Sequence, residues 1–142
     1  MTTPSERTRA LRYGHELLIE FDAADNLSPV QRDAVKTILE SYPTGAEIEK
    51  WALDCVASGA VFGPMLAPET DHNPVPASLD RGPTAPRDHT KALRQAHAFF
   101  LKMRHADNPT ADQQRGIAVV LRHFPDGYEI DLLVRQATTA AL

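Results

Sequence analysis

The chain has a single cysteine, Cys55, few aromatic residues, and no uninterrupted apolar run long enough to cross a bilayer. A lone thiol excludes an intrachain disulfide, and Cys55 falls on an apolar helical pattern, where it reads as a small buried hydrophobe in a reducing compartment. The opening Met1-Thr2-Thr3-Pro4-Ser5-Glu6-Arg7 lacks the apolar stretch of a secretion signal, so a cytoplasmic protein is expected. An excess of Lys and Arg is also missing. The net charge of −4 argues against nucleic acid or an anionic membrane as a partner.

The motifs of catalysis are absent as well. There is no cysteine pair and no His-x-x-x-His. His89, His97 and His105 are eight apart, a spacing that drifts about 80° per step around a helix, so they do not converge on a metal. No Gly-x-Ser-x-Gly elbow and no glycine-rich phosphate loop occurs. Glu16 and Glu20 share a helix face, but a solvated face explains them better than acid–base chemistry. The expectation is a protein without enzymatic activity, metal or cofactor.

What the chain does have is itself, twice. Shifted by 82 positions, residues 4–51 fall on 86–133 without a gap and give 15 identities in 48 pairs. Unrelated helical segments would give about 3 or 4 on ordinary residue frequencies. The identities include Thr8/Thr90, Leu11/Leu93, Arg12/Arg94, His15/His97, Ala24-Asp25-Asn26/Ala106-Asp107-Asn108 and Glu47-Ile48/Glu129-Ile130. Apolar positions stay apolar, as in Leu18/Phe100, Phe21/Met103, Val35/Ile117 and Tyr42/Phe124.

Each copy reads as three helices. The first is expected from about Ser5 to Ala23 and again from Arg87 to His105, with Leu11, Leu18 and Phe21 on one stripe. Starts are marked by Ser/Thr/Asp followed three residues later by Glu/Gln: Thr3/Glu6, Ser28/Gln31 and Thr44/Glu47, then Thr110/Gln113 and Asp126/Glu129. Pro43 and Pro125 end the second helix of each copy. Between the copies, residues 63–86 hold six of the eleven prolines, a composition that excludes helix. The organisation is therefore residues 1–62 as one three-helix repeat, 63–85 as a proline-rich linker and 86–142 as the second repeat. A unit this small is marginal alone. The fold class expected is all-α, a tandem pair with pseudo-two-fold symmetry whose six helices share a core. As an assembly this is a monomer built as an internal pseudo-dimer, or a homodimer. The first half carries the acidic balance and the second a mildly basic one, which suits mutual packing.

Glu6-Arg7-Thr8-Arg9-Ala10 and Leu121-Arg122-His123-Phe124-Pro125 resemble segments of a family of short bacterial helical proteins of unknown function. That family carries a Glu-Arg-Thr-Arg-Ala opening and a Leu-Arg-His-Tyr-Pro segment late in a helix. The first copy keeps the opening but has Leu39-Glu40-Ser41-Tyr42-Pro43 at the second place. The second copy keeps the latter and has Asp88-His89-Thr90-Lys91-Ala92 at the first. The resemblance implies a helical fold, here duplicated, and no activity.

Arg12 with His15, repeated as Arg94 with His97, is the constellation that stands out, since residues three apart share a helix face. A two-fold would make the histidines mates and open the way to an inter-repeat contact or a small ligand site. Phe62, Met65 and Leu66 are candidate partner contacts, with pinning onto the core as their other fate. A non-catalytic protein-interaction or regulatory module of bacterial type, binding through a groove between the repeats or through the linker, is the functional expectation. The alternative is a nucleic-acid-linked regulator using the second and third helices as a helix-turn-helix, with Arg7, Arg9 and Arg12, or Arg87, Lys91 and Arg94, as its basic patch. Glu47 and Glu49, or Glu129 and Asp131, at the start of the would-be recognition helix count against it.

Overall fold

The computed structural model describes residues 2–61, 63–69 and 89–141, with side chains through Thr138. Phe62 and most of the expected linker lie outside the described residues. The protein is all-α, with six helices and no strand among those residues: α1 (Pro4–Ala23), α2 (Pro29–Ser41), α3 (Gly45–Ala57), α4 (Thr90–Arg104), α5 (Ala111–His123) and α6 (Gly127–Ala141). α4 is described as helical from Thr90, later than the expected Arg87, and His89 at its cap makes no side-chain capping bond.

The other starts are capped as their sequences require. Thr3, Ser28, Thr44 and Thr110 each accept from the backbone N–H three residues on, while Glu6, Gln31, Glu47 and Gln113 reach back. At α6, Glu129 N–H donates to Asp126 and Asp126 N–H donates to Glu129. Pro at the start of α1 and α2 costs no hydrogen bond, because the first-turn N–H groups have no helical partner.

Burial follows the 82-residue shift. Ala10, Leu11, Leu17, Leu18 and Phe21 of α1 are buried, and so are Ala92, Leu93, Phe99, Phe100 and Met103 of α4. Val35, Ile38 and Tyr42 correspond to the buried Ile117, Val120 and Phe124, and Ile48, Trp51 and Cys55 to Ile130, Leu133 and Ala137. Residues of both copies form one apolar cluster. The two most extensive helix pairings cross between copies, α1 on α5 and α3 on α6, and α2 also packs on α4; within each copy α1 packs on α2 and α4 on α5. Each copy therefore buries its apolar stripes partly against itself and partly against the other copy, and this burial is the dominant stabilising term.

At the far end of α1 and α4 the crossing is reciprocal. Asn26 Nδ2 donates to the Asn108 carbonyl at 2.9 Å, and Asn108 Nδ2 donates to the Asn26 carbonyl at 3.0 Å. Asn26 also donates to Gln113 at 2.7 Å, and Asn108 to Gln31 at 2.6 Å.

Residues 63–69 form a non-helical strap over α1 and α6. Leu66 has 0% exposure, Thr8 Oγ1 donates to the Ala67 carbonyl at 2.7 Å, and Gln136 of α6 accepts from Met65 N–H at 2.8 Å. Leu66 is an anchor of the fold and not a surface contact. Met65 is likewise partly buried against the core.

Candidate functional site

Arg12, His15, Arg94 and His97 each have neighbours of their own in the structure. Arg12 Nε and Nη2 donate to the two carboxylate oxygens of Glu69 at 2.9 and 3.2 Å, and its guanidinium lies 4.7 Å over the Tyr13 ring. The hydrogen bonds to Glu69 raise the Arg12 pKa further, so the guanidinium stays charged at any working pH. Glu69 also accepts from Arg9 Nε at 2.9 Å, and its side chain is only 2% exposed. Arg94 pairs instead with Asp131, both half-exposed. His15 stacks parallel on Tyr42, with centroids 5.5 Å apart, and His97 stacks on Phe124 at 5.9 Å. Each histidine is thus placed against an aromatic ring of its own copy.

The polar contacts between copies lie elsewhere, at the capping glutamates. Glu47 uses Oε1 to accept from Thr44 N–H and cap α3, and its Oε2 lies 2.7 Å from His89 Nε2 of the other copy. Glu129 uses Oε1 to cap α6 and Oε2 to accept from Arg7 Nε at 2.9 Å. These contacts are related by the same shift, since 7 corresponds to 89 and 47 to 129. The first is buried, with side chains 3% and 6% exposed, and the second partly so, at 17% and 25%. His89 is further fixed by Nδ1 at 2.7 Å from the Ser41 carbonyl and by the Trp51 ring at 5.4 Å. A carbonyl can only accept, so Nδ1 carries a hydrogen. The contacts run both ways between the copies: Glu47 of the first meets His89 of the second, and Glu129 of the second meets Arg7 of the first. The repeat itself held the signal: a basic residue at 7 and at 89, and the same Glu at 47 and 129.

The two segments that carry the resemblance also meet. Glu6 Oε2 lies 3.0 Å from His123 Nε2, and Thr2 Oγ1 lies 2.9 Å from His123 Nδ1. Hydrogen bonds from Thr3 chiefly hold the Glu6 carboxyl below its ordinary pKa, so it faces His123 ionised.

A groove of about 540 Å³ lies between α2 and α4, one helix from each copy. Its floor is Ile38, Phe99 and Met103, its walls include Val30, Ala34 and Ala98, and Asp33, Thr37, Gln95 and Lys102 stand around it. The corresponding space between α1 and α5 is about 250 Å³. There Tyr13 and Glu16 stand where the larger groove has Gln95 and Ala98, and Glu20 faces Arg115 where the larger has Lys102 and Asp33. Shorter side chains on α4 open one groove, and bulkier ones on α1 narrow its mate.

Among the described residues no three His, Cys, Asp or Glu are grouped to hold a metal ion, and no helix is long and apolar enough to cross a membrane. Burial pushes the Cys55 thiol up to about 11, which makes it a poor nucleophile at neutral pH. Burial also raises the Tyr42 hydroxyl, which donates to the Leu11 carbonyl at 2.7 Å. The chain matches no protein-family model, no curated protein and no solved structure. Function has to be read from geometry.

Proposed function

We propose that the chain is a non-catalytic protein-binding module of the cytoplasm, a fused pair of three-helix units that receives the apolar face of a partner's helix in the α2–α4 groove. The observation that carries this reading is the groove itself. It is lined by apolar side chains from both copies and bordered by one acid, Asp33, and one base, Lys102. A volume of about 540 Å³ accommodates two or three apolar side chains of an amphipathic helix, and charges of both signs at the border orient it. The contrast with the narrowed groove on the other side supports one binding face per chain.

Nucleic-acid binding draws less support. α3 and α6, the would-be recognition helices, pack on each other, and Glu47, Glu129 and Asp131 at their starts are engaged in ion pairs.

The test is a photo-reactive residue at Ala98, an exposed wall position, used to capture partners from native lysate. A partner cross-linked through a helix, lost on Ala98→Arg in a chain of unchanged melting temperature and retained on Glu16→Ala in the mate groove, is the expected result. Capture that survives Ala98→Arg overturns the proposal.

A further inference from the structure

The segments at 6–10 and 121–125 face each other across a pocket of about 210 Å³ between the start of α1 and the end of α5. Glu6 and Arg9 line it from α1, and Arg122 and His123 from α5. The charges there are unevenly committed. Glu6 Oε1 accepts from Thr3 N–H at 2.8 Å and its Oε2 lies 3.0 Å from His123 Nε2, so both oxygens are taken. His123 Nδ1 lies 2.9 Å from the Thr2 hydroxyl, a group that accepts as well as it donates. The imidazole can therefore take up a proton without losing either contact. Arg9 gives Nε to Glu69, a carboxylate it shares with Arg12. Arg122 is exposed and has no hydrogen-bond or ion-pair partner among the described residues. Two guanidiniums against one carboxylate leave the lining one positive charge in excess while His123 is neutral, and two once it is protonated.

The other copy shows that the fold does not need this charge. Basic residues in the last turn of a helix can simply balance its dipole. Yet α2, the counterpart of α5, ends on Glu40 and Ser41 with no base in its last turn. Shifted by 82, Glu6 and Arg9 become Asp88 and Lys91, and Arg122 and His123 become Glu40 and Ser41. Two acids then stand against one base, and the excess is gone.

We infer that the pocket between α1 and α5 binds a phosphoryl group, as the free ion or in a small phosphate monoester, held between Arg122 and Arg9 with His123 adding charge. A phosphoryl group carries about −1.5 to −2 charges near neutral pH, which the excess on the lining matches. Guanidinium groups meet its oxygens as paired donors. Ala10, Tyr13 and Val119 supply an apolar wall for the substituent of an ester. The site lies away from the α2–α4 groove and stands whether or not that groove takes a helix.

The test is amide NMR of the full-length chain titrated with phenyl phosphate, with inorganic phosphate and with benzoate, at constant ionic strength in chloride. Saturable shifts at Arg9, Arg122 and His123 are expected with both phosphates. Tighter binding of phenyl phosphate identifies an ester as the ligand, and equal affinity identifies the free ion. Arg122→Glu, which installs the side chain that α2 has at that place, should weaken binding at least about tenfold at an unchanged melting temperature. Arg122→Lys should keep part of the affinity, which separates lost recognition from lost folding. Three outcomes overturn the inference: no saturable shifts at these residues with either phosphate, affinity indifferent to Arg122→Glu, or benzoate bound as tightly as phenyl phosphate.

Discussion

The two copies use the same framework with different chemistry at each shared position. In one crossing contact a guanidinium, Arg7, meets Glu129 at the margin of the core; in its mate an imidazole, His89, meets Glu47 inside it. Arg12 closes on a buried carboxylate, whereas Arg94 closes on an exposed one. The α2–α4 groove is open and the α1–α5 groove half closed. Elements that build the common core have kept their type, and the differences collect where side chains reach solvent or a neighbouring segment. Core positions pack against both copies at once, whereas the surfaces of the two copies differ.

The largest expected effect separates the two crossing contacts. Removing Glu47 leaves a buried imidazole nitrogen of His89 without its partner, so Glu47→Ala should cost about 3 kcal/mol or more. Glu129→Ala, at a site where water can reach Arg7, should cost about 1–3 kcal/mol. Both lose the same kind of helix cap, so the difference in denaturation midpoints isolates the burial of the pair. Equal losses would mean that the buried histidine contact is no more than a cap.

Next in size is Gly14. A methyl built there would stand 2.9 Å from Tyr42 Oη and 3.2 Å from the Phe124 ring, closer than carbon tolerates. The corresponding position in α4 is a fully buried alanine, Ala96, and the residue corresponding to Tyr42 is Phe124, which has no hydroxyl. The glycine and the tyrosine come as a set. Gly14→Ala should destabilise by about 1–2 kcal/mol despite alanine's better helix propensity. Tyr42→Phe should cost less in that background than in the wild type, a coupling that a double-mutant cycle measures.

The smallest effect lies at Cys55, whose counterpart is Ala137. A thiol whose pKa is raised on folding, from 9.0 to about 11, favours the folded state fully below pH 9. That contribution is lost as pH rises through about 11, because the unfolded thiol ionises first. Stability of the wild type should therefore fall more steeply between pH 9 and 11 than that of Cys55→Ala. Parallel curves would show that the thiol does not ionise differently in the two states.

Much of the fold was legible because its signals are local and repeated. Thr44/Glu47 and Asp126/Glu129 announce helix starts with no knowledge of the tertiary structure, and the 82-residue shift pairs Leu11 with Leu93 and Phe21 with Met103 in one step. The site was less legible, because helical spacing assigns a residue to a face but not to a target. His15 and Arg12 leave α1 three residues apart, yet a Tyr42 ring from α2 takes one and a Glu69 carboxylate from the strap takes the other. The second oxygen of Glu47 was hidden by the first, since a capping box accounts for the residue completely until the other copy is in place. Leu66 lies in a proline-rich stretch read as linker and is fully buried; on either side of it Thr8 and Gln136 give the main chain of Ala67 and Met65 hydrogen bonds that a helix would have supplied.

The central physical claim is that the copies stabilise one another through a single shared core. Denaturant unfolding of the intact chain, followed at the methyl groups of Ile48 in α3 and its counterpart Ile130 in α6, tests it directly. One midpoint and one slope at both methyls is the predicted result. Two separated transitions, with either copy retaining its native shifts after the other has unfolded, would contradict it.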